Sequence, residues 1–300
     1  MFEADLIPQL DCRGRMLRLD RVNIMGVLNV TPDSFSDAGQ CLSLKEGIAR
    51  AMAMVSAGAD IIDIGGESTR PGATAVSADE ECQRVVPLIE ALAPLIDVPI
   101  SVDTSRPEVM RAAVVAGAGM INDVRALRLP GAMEAAAALD VPVCLMHMQG
   151  EPGSMQMAPH YDDVVGEVRR FLADRLLACE FAGINRKRLL IDPGFGFGKS
   201  VEHNFTLLAR LAEFDSLACP ILVGLSRKSM LGAVTGRNVE ERMPASVVAA
   251  VLAASRGARI VRVHDVAETR DGLSVLRALP RVDGGGARAA SARPSWPDDE

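Results

Sequence analysis

Asp103, Asn122 and Asp192 are two carboxylates and an amide whose chemistry suits one kind of ligand. A carboxylate accepts two parallel hydrogen bonds from an amino group and its neighbouring ring N–H, so the set fits a flat heterocycle carrying donors in a fork. Arg70, Lys228, Arg262 and His264 supply positive charge and N–H donors, which suits a phosphate or carboxylate substituent. Asn29 offers an amide oxygen to a hard cation, and magnesium typically adds waters and substrate phosphate oxygens to one or two such ligands. Each residue also has a plainer reading. Asp103 and Asp192 could cap helices, Lys228 could be a solvated lysine at a helix start, and His264 a hydrogen-bonded core histidine. Met25, Met146 and Met230 read as packing.

Several familiar patterns fail. Gly198-Lys199-Ser200 matches the end of a P-loop, but the first glycine of that motif falls on Pro193. Gly224-Leu225-Ser226-Arg227-Lys228 lacks the last glycine of a nucleophile elbow. Gly117-x-Gly119 has no third glycine in register for a dinucleotide fingerprint, and no H-E-x-x-H occurs.

The residues matter together only if the fold brings them to one place. Short apolar runs bounded by turn residues predict strands over Asn23–Asn29, Asp60–Gly65, Val98–Asp103, Gly119–Asp123, Pro142–His147, Arg188–Asp192, Ile221–Ser226 and Arg259–His264. Helical patterns fill the spaces between. Ser43…Glu46, Ser77…Glu80 and Ser105…Glu108 each fit a capping box, and Val164, Val168, Phe171, Leu172 and Leu176 form an apolar stripe. Gly58, Gly117 and Gly257 each stand between a helix and a strand, where a left-handed residue ends the helix. Eight such units predict an α/β fold, a (β/α)8 TIM barrel, whose strands end in Asn29, Asp63, Asp103, Asn122, His147, Asp192, Ser226 and His264. A closed barrel aims all eight ends at one mouth, whereas an open sheet would use only its switch-point strands.

Residues 1–22 read as an N-terminal hairpin segment closing the barrel floor, its arginines solvated. Residues 23–280 read as the barrel, and 281–300, with Gly284-Gly285-Gly286, as a disordered tail. The stretches Thr31–Gly39 and Gly65–Ala73 are too long and polar for tight turns and read as binding loops or lids. Ala245–Ser255 suits a buried helix.

Composition narrows the class further. Of 300 residues, 39 are acidic and 32 basic, a formal net charge of −7. That argues against a general nucleic-acid or anionic-membrane binder, so an anionic ligand must be held by a few local cations or a metal. Six scattered cysteines without a C-x-x-C pair are neither a disulfide framework nor a zinc site. They fit a reducing, cytoplasmic compartment. No apolar run is long enough to span a membrane, and the acidic start is unlike a signal peptide.

The motifs themselves resemble one family. Asn29-Val30-Thr31-Pro32-Asp33-Ser34-Phe35-Ser36-Asp37, Asp63-Ile64-Gly65-Gly66-Glu67-Ser68-Thr69-Arg70-Pro71-Gly72, Ser101-Val102-Asp103-Thr104, Ile121-Asn122-Asp123 and Met146-His147-Met148-Gln149-Gly150 are similar to the dihydropteroate synthases. Asp192-Pro193-Gly194-Phe195-Gly196-Phe197-Gly198-Lys199, Ser226-Arg227-Lys228-Ser229 and Arg262-Val263-His264-Asp265 continue the likeness in unbroken order, so it spans residues 22 to 279. The resemblance implies a magnesium-dependent transfer in folate synthesis that joins 4-aminobenzoate to (7,8-dihydropterin-6-yl)methyl diphosphate. It implies a homodimer and sensitivity to sulfonamides. By motif, Asn29 would ligate magnesium, and Asp103, Asn122, Asp192 and Lys228 would hold the pterin. Met146, Phe197 and Gly224 would line its slot, and Arg262 and His264 would grip the diphosphate. Thr69, Arg70 and Ser226 would lie near the diphosphate or the aminobenzoate, with Asp37 and Arg70 on the loops that close over both.

Other readings are a corrinoid-dependent methyltransferase barrel, an inactive pterin-binding paralogue and a Schiff-base aldolase using Lys228. The first needs neither the T-P-D-S-F-S run nor Ser226-Arg227-Lys228, and intact Asn29, Lys228, Arg262 and His264 speak against the second. Borohydride trapping would expose the third.

Overall fold

Two short strands precede the barrel: β1 (Gln9–Cys12) and β2 (Arg15–Arg18) pair antiparallel, Gln9 opposite Arg18. The tight turn between them puts Arg13 and Gly14 at φ 58° and 85°, the left-handed pair of a two-residue hairpin. This computed structural model describes residues 8–30, 43–68, 76–150, 155 and 159–280. The expectations for Asp37, Thr69, Arg70, most of both long loops and the 281–300 tail fall outside those residues.

Eight parallel strands then close on themselves: β3 (Asn23–Asn29), β4 (Ile61–Gly65), β5 (Ile100–Asp103), β6 (Met120–Asp123), β7 (Val143–Met146), β8 (Leu189–Asp192), β9 (Ile221–Val223) and β10 (Ala258–Val263). They stand in chain order, and β10 pairs back with β3. The alternating helices are α1 (Leu44–Ala57), α2 (Ala78–Leu92), α3 (Pro107–Ala116), α4 (Ala132–Leu139), α5 (Val164–Phe181), α6 (Val201–Ala209), α7 (Ser229–Thr235), α8 (Met243–Ala254) and α9 (Val266–Ala278). The barrel expected from the alternating runs is present. Its least well read strand is β9, three residues long instead of six. Pairing ends at Val223, and the chain leaves through Gly224 to a turn with Arg227 at φ 59°.

Helix starts follow local chemistry. Ser43 and Glu46 form the expected reciprocal capping box, and the Ser77 hydroxyl accepts from Glu80 N–H. The box expected at Ser105…Glu108 is absent. Arg106 is the N-cap and Pro107 starts α3 without an N–H to satisfy, while the Ser105 hydroxyl donates to Asp123 Oδ1. Ser200 forms a box with His203 instead.

Side chains alternate along each strand, and this period of two sorts the barrel into tiers. Met25, Ile61, Met120, Cys144, Leu190, Leu222 and Ile260 form a lower tier, packed with Leu10, Cys12, Leu17 and Leu19 of the hairpin segment. That segment therefore seals the floor, as expected. Its arginines are not merely solvated: Arg13 donates to Val114 O and Arg15 to Ala93 O at 2.5 Å, pinning the hairpin to the ends of α3 and α2. Two residues further along the chain stand Asp63, Asn122, Met146, Asp192 and Arg262 on their strands and Gly224 just past the end of β9. The outward residues, such as Ile62, Ile64, Val102 and Ile121, pack in the shell between strands and helices with Val85, Leu88 and Ile89 of α2. The helix expected to be buried around Ala245–Ser255 is α8, and one face of it is open: Val248 is 58% and Leu252 39% exposed.

Candidate active site

At the carboxyl ends of the strands, Arg262 of β10 bridges two carboxylates. Its Nε donates to Asp63 Oδ2 at 2.6 Å and its Nη2 to Asp103 Oδ2 at 2.7 Å. Asn122 Nδ2 donates to the same Asp63 oxygen at 3.2 Å, and β5 and β6 hold Asp103 directly opposite Asn122. Asp63 is fully buried, and its Oδ1 has no hydrogen-bond partner among the described residues. Burial works against the charge on Arg262, but Asp63 and Asp103 more than offset it and raise its pKa. Burial pushes Asp103 up, Arg262 pulls it back, and Asp63 pushes it up again. The position next to Asp103 is a glycine: a Cβ on Gly65 would lie 3.4 Å from both Asn29 Oδ1 and Asp103 Cβ, so these two side chains meet over it.

The opposite wall comes from β7, β8 and the turn after β9. Met146 is paired with Asp192 and packs with Val124, Met148 and Met155, against which Phe197 also rests. Asp192 Oδ1 accepts from Gly194 N–H at 2.7 Å, and burial pushes its pKa up to about 6 against that bond and the nearby Lys228, Lys199 and Arg262 charges. Lys228 Nζ sits 4.2 Å from the centre of the Phe197 ring, a cation–π distance. Burial pushes Lys228 down to about 8, opposed by Asp192. The turn that presents Lys228 is fastened by Arg227, which donates to both oxygens of Asp265 at 2.6 and 3.3 Å. Gly224 keeps the floor open beside Arg262, whose Cβ is the nearest atom to a Cβ built there, at 4.0 Å.

Ser226 and His264 complete the rim. Ser226 Oγ lies 2.9 Å from His264 Nδ1 and accepts from His264 N–H at 3.3 Å. A ring N–H of His264 at this rim is a donor of the kind a phosphate oxygen accepts.

One expected member is elsewhere. His147 does not join the mouth. It is buried, edge-on to Phe171 of α5 at 4.9 Å, with Nδ1 2.9 Å from Lys199 Nζ. The sequence pattern alone makes Asp63 a polar strand end and assigns it no role in the site, although a lone carboxylate in Ile61-Ile62-Asp63-Ile64 signals that it faces a partner.

The geometry joins Asp103, Asn122, Asp192, Lys228 and Arg262 at one end of the barrel. Residues 25–264 match the model of the pterin binding enzyme family. The dihydropteroate synthase of Escherichia coli (strain K12) is 54% identical over 270 residues, 90% of this chain and 96% of that one. The chain belongs to the dihydropteroate synthase family. It is a transferase of the dihydropteroate synthase type. The Xanthomonas albilineans synthase solved with 4-aminobenzoic acid superposes at a TM-score of 0.86 and 57% identity, covering 91% of this chain and 100% of that one. The Yersinia pestis synthase solved with a sulfonamide drug complex gives 0.87 and 52%, covering 90% and 98%. Among the described residues, no helix is long and apolar enough to cross a membrane.

Proposed function

We propose that this mouth joins (7,8-dihydropterin-6-yl)methyl diphosphate to 4-aminobenzoate, yielding 7,8-dihydropteroate and diphosphate for folate synthesis. The observation that carries the proposal is the Arg262 bridge between Asp63 and Asp103, with Asn122 beside it and Asp192 and Lys228 across the opening. Asp103, Asp192 and Asn122 meet the amino and ring N–H groups of the pterin, and Lys228 meets an acceptor on it. Met146, Phe197 and Gly224 form the apolar and backbone sides of the slot.

The methylene–oxygen bond breaks with its electron pair going to the diphosphate. The amine nitrogen of 4-aminobenzoate attacks the methylene carbon and then loses a proton to water. A neutral arylamine is nucleophilic as it stands, so the site needs no catalytic dyad. Arg262 and His264 stabilise the departing anion, where one preorganised donor is worth about 2.7–4 kcal/mol in comparable sites. Thr69, Arg70 and Ser226 serve the anionic ends of the substrates, and Asp37 and Arg70 act with Lys228, Arg262 and His264 in the reaction.

Asn29 suits magnesium. Its amide oxygen stands at the rim beside Asp103, and among the described residues no group of three or more His, Cys, Asp or Glu side chains could hold a metal ion by itself. That donor set fits a cation sharing its shell with substrate oxygens and water. Bound magnesium would supply charge neutralisation at the diphosphate.

The deciding experiment measures diphosphate release with each substrate alone and with both, while mass spectrometry follows 7,8-dihydropteroate. Release that needs both substrates and yields the product is expected; release from the pterin diphosphate alone, without product, would overturn the reading. Sulfonamides, as arylamine mimics of 4-aminobenzoate, should compete with it. A second copy of the chain covers the exposed apolar face of α8 and α9, and the free cysteines Cys12, Cys82, Cys144, Cys179 and Cys219 support a reducing cytoplasm.

A further inference from the structure

Two features remain without a role: the Gly198-Lys199-Ser200 run that fails as a P-loop, and His147, which turns away from the mouth. They meet. Lys199 is 3% exposed, and its Nζ lies 2.9 Å from Gly194 O, 3.0 Å from Phe197 O and 2.9 Å from His147 Nδ1. An ammonium has three N–H donors, and here each finds an acceptor. The imidazole can accept only when neutral. Burial, with the Lys199 and Arg128 charges, holds His147 in that state by pushing its pKa down to about 2.

The ammonium ties together two loops that pack backbone on backbone. A Cβ on Gly194 would overlap the carbonyl of His147, and one on Gly198 would overlap that of Gln149. Both glycines have positive φ, 71° and 62°, so the close approach and the backbone conformation demand the same residue. Tyr161 adds a bond from its hydroxyl to Gly198 O at 2.9 Å. Between the two glycines the segment carries what faces the substrate. Gly194 N–H orients Asp192, Gly196 leaves room for the Lys228 chain, and Phe197 supports the Lys228 ammonium.

We propose that Lys199 is a positioning residue for the pterin wall: by holding the carbonyls of Gly194 and Phe197 against His147, it fixes Asp192, Phe197 and Lys228 in register with one another. A buried cation without a directly bonded carboxylate is expensive to keep, and burial pushes Lys199 down to about 7, opposed by Asp192. Its neutral acceptors, with the His147 carbonyl at 3.5 Å as a fourth, all belong to the two loops it joins, which is what a clamp requires. The proposal rests on the reading of this mouth as the pterin site.

The test compares the wild-type chain with Lys199→Met and His147→Leu in steady-state turnover at 25 °C, with thermal melts to establish folding. In folded Lys199→Met, KM for the pterin diphosphate should rise about tenfold while kcat changes less than threefold. Lys199→Arg should recover part of that loss. His147→Leu removes the one side-chain acceptor, leaving the carbonyls, and should raise the same KM about threefold. An unmoved pterin KM in folded Lys199→Met overturns the proposal, as does a uniform loss of kcat in both variants with KM unchanged. Should Lys199→Met fail to fold, His147→Leu decides: a raised pterin KM supports the clamp and an unchanged one overturns it. A wild-type chain that makes no dihydropteroate would refute the functional reading itself, whereas an active wild type with unaffected variants refutes only the role of Lys199.

Discussion

Asp192 and Lys228 stand on one wall of the mouth, and the pKa of each has moved toward neutrality through burial, the acid up to about 6 and the lysine down to about 8. A carboxylate accepts the forked N–H donors of a pterin only when ionised, and an amine carries charge only when protonated. The acid shifts upward, so productive Asp192 is lost as pH falls through about 6; the base shifts downward, so productive Lys228 is lost as pH rises through about 8. Asp103 and Lys199 are both shifted to about 7, so the kcat/KM for the pterin diphosphate should be bell-shaped, falling below about 6 to 7 as the two carboxylates take up protons and above about 7 to 8 as the two lysines lose them. Asp192→Asn should narrow the acid limb to that of Asp103 and lower kcat/KM about tenfold or more at neutral pH, the scale of a lost charge-assisted bond. A wild-type profile flat between pH 5 and 7 would show that Asp192 does not control binding. The polar residues of this mouth were legible because each ends an otherwise apolar strand. Their pairing was not. Arg262 and Asp63 stand 199 positions apart, and no local pattern links an arginine to the carboxylate it will meet across a barrel.

The β1–β2 hairpin shows the same division at the scale of an element. A hairpin closing the floor could be read from the sequence, and the structure shows what holds it there: Leu10 and Leu17 pack in the lower tier. The bonds from Arg13 and Arg15 to helix carbonyls could not be read, because a backbone acceptor leaves no mark in composition. Ser105 misled for a similar reason: the S-x-x-E spacing was right, but Pro107 removed the need for a cap and Asp123 offered the hydroxyl a buried partner. Leu17 is 4% exposed and packs within the lower tier. Leu17→Ala should cost about 2–5 kcal/mol of stability, the range for emptying a buried leucine site. Calorimetry should report a lower melting temperature while both KM values at 25 °C stay as in the wild type. A matching rise in KM would mean that floor and mouth are mechanically coupled.

On the scale of the whole molecule, the least expected surface is the outer face of α8 and α9. Val248 and Leu252 lie one turn apart on α8, Val275 and Leu279 one turn apart at the end of α9, and they are 58%, 39%, 69% and 61% exposed. The sequence of α8, Val247-Val248-Ala249-Ala250-Val251-Leu252-Ala253-Ala254, is apolar all round and so reads as wholly buried. Within one chain it is not. Apolar side chains left exposed on neighbouring helices are what an interface would cover, and a two-fold pairing of this face with itself is the simplest closed arrangement to test. Light scattering on a sizing column should give the mass of two chains, and Val248→Glu with Leu252→Glu should give one. A double variant that stays dimeric would move the interface elsewhere.

The two-residue offset between the lower tier and the polar rim constrains how this sequence can drift. Adding or removing a single residue inside any of the eight strands would exchange its inward and outward faces; in β4, β5, β8 and β10 that would send a carboxylate or guanidinium into the shell beneath the helices and an aliphatic side chain into the opening. Length changes are tolerable only where no pairing register is carried, in the connections on either side of the barrel. Among descendants of this chain, insertions and deletions should therefore cluster between the strands, and the strands themselves should vary by substitution alone.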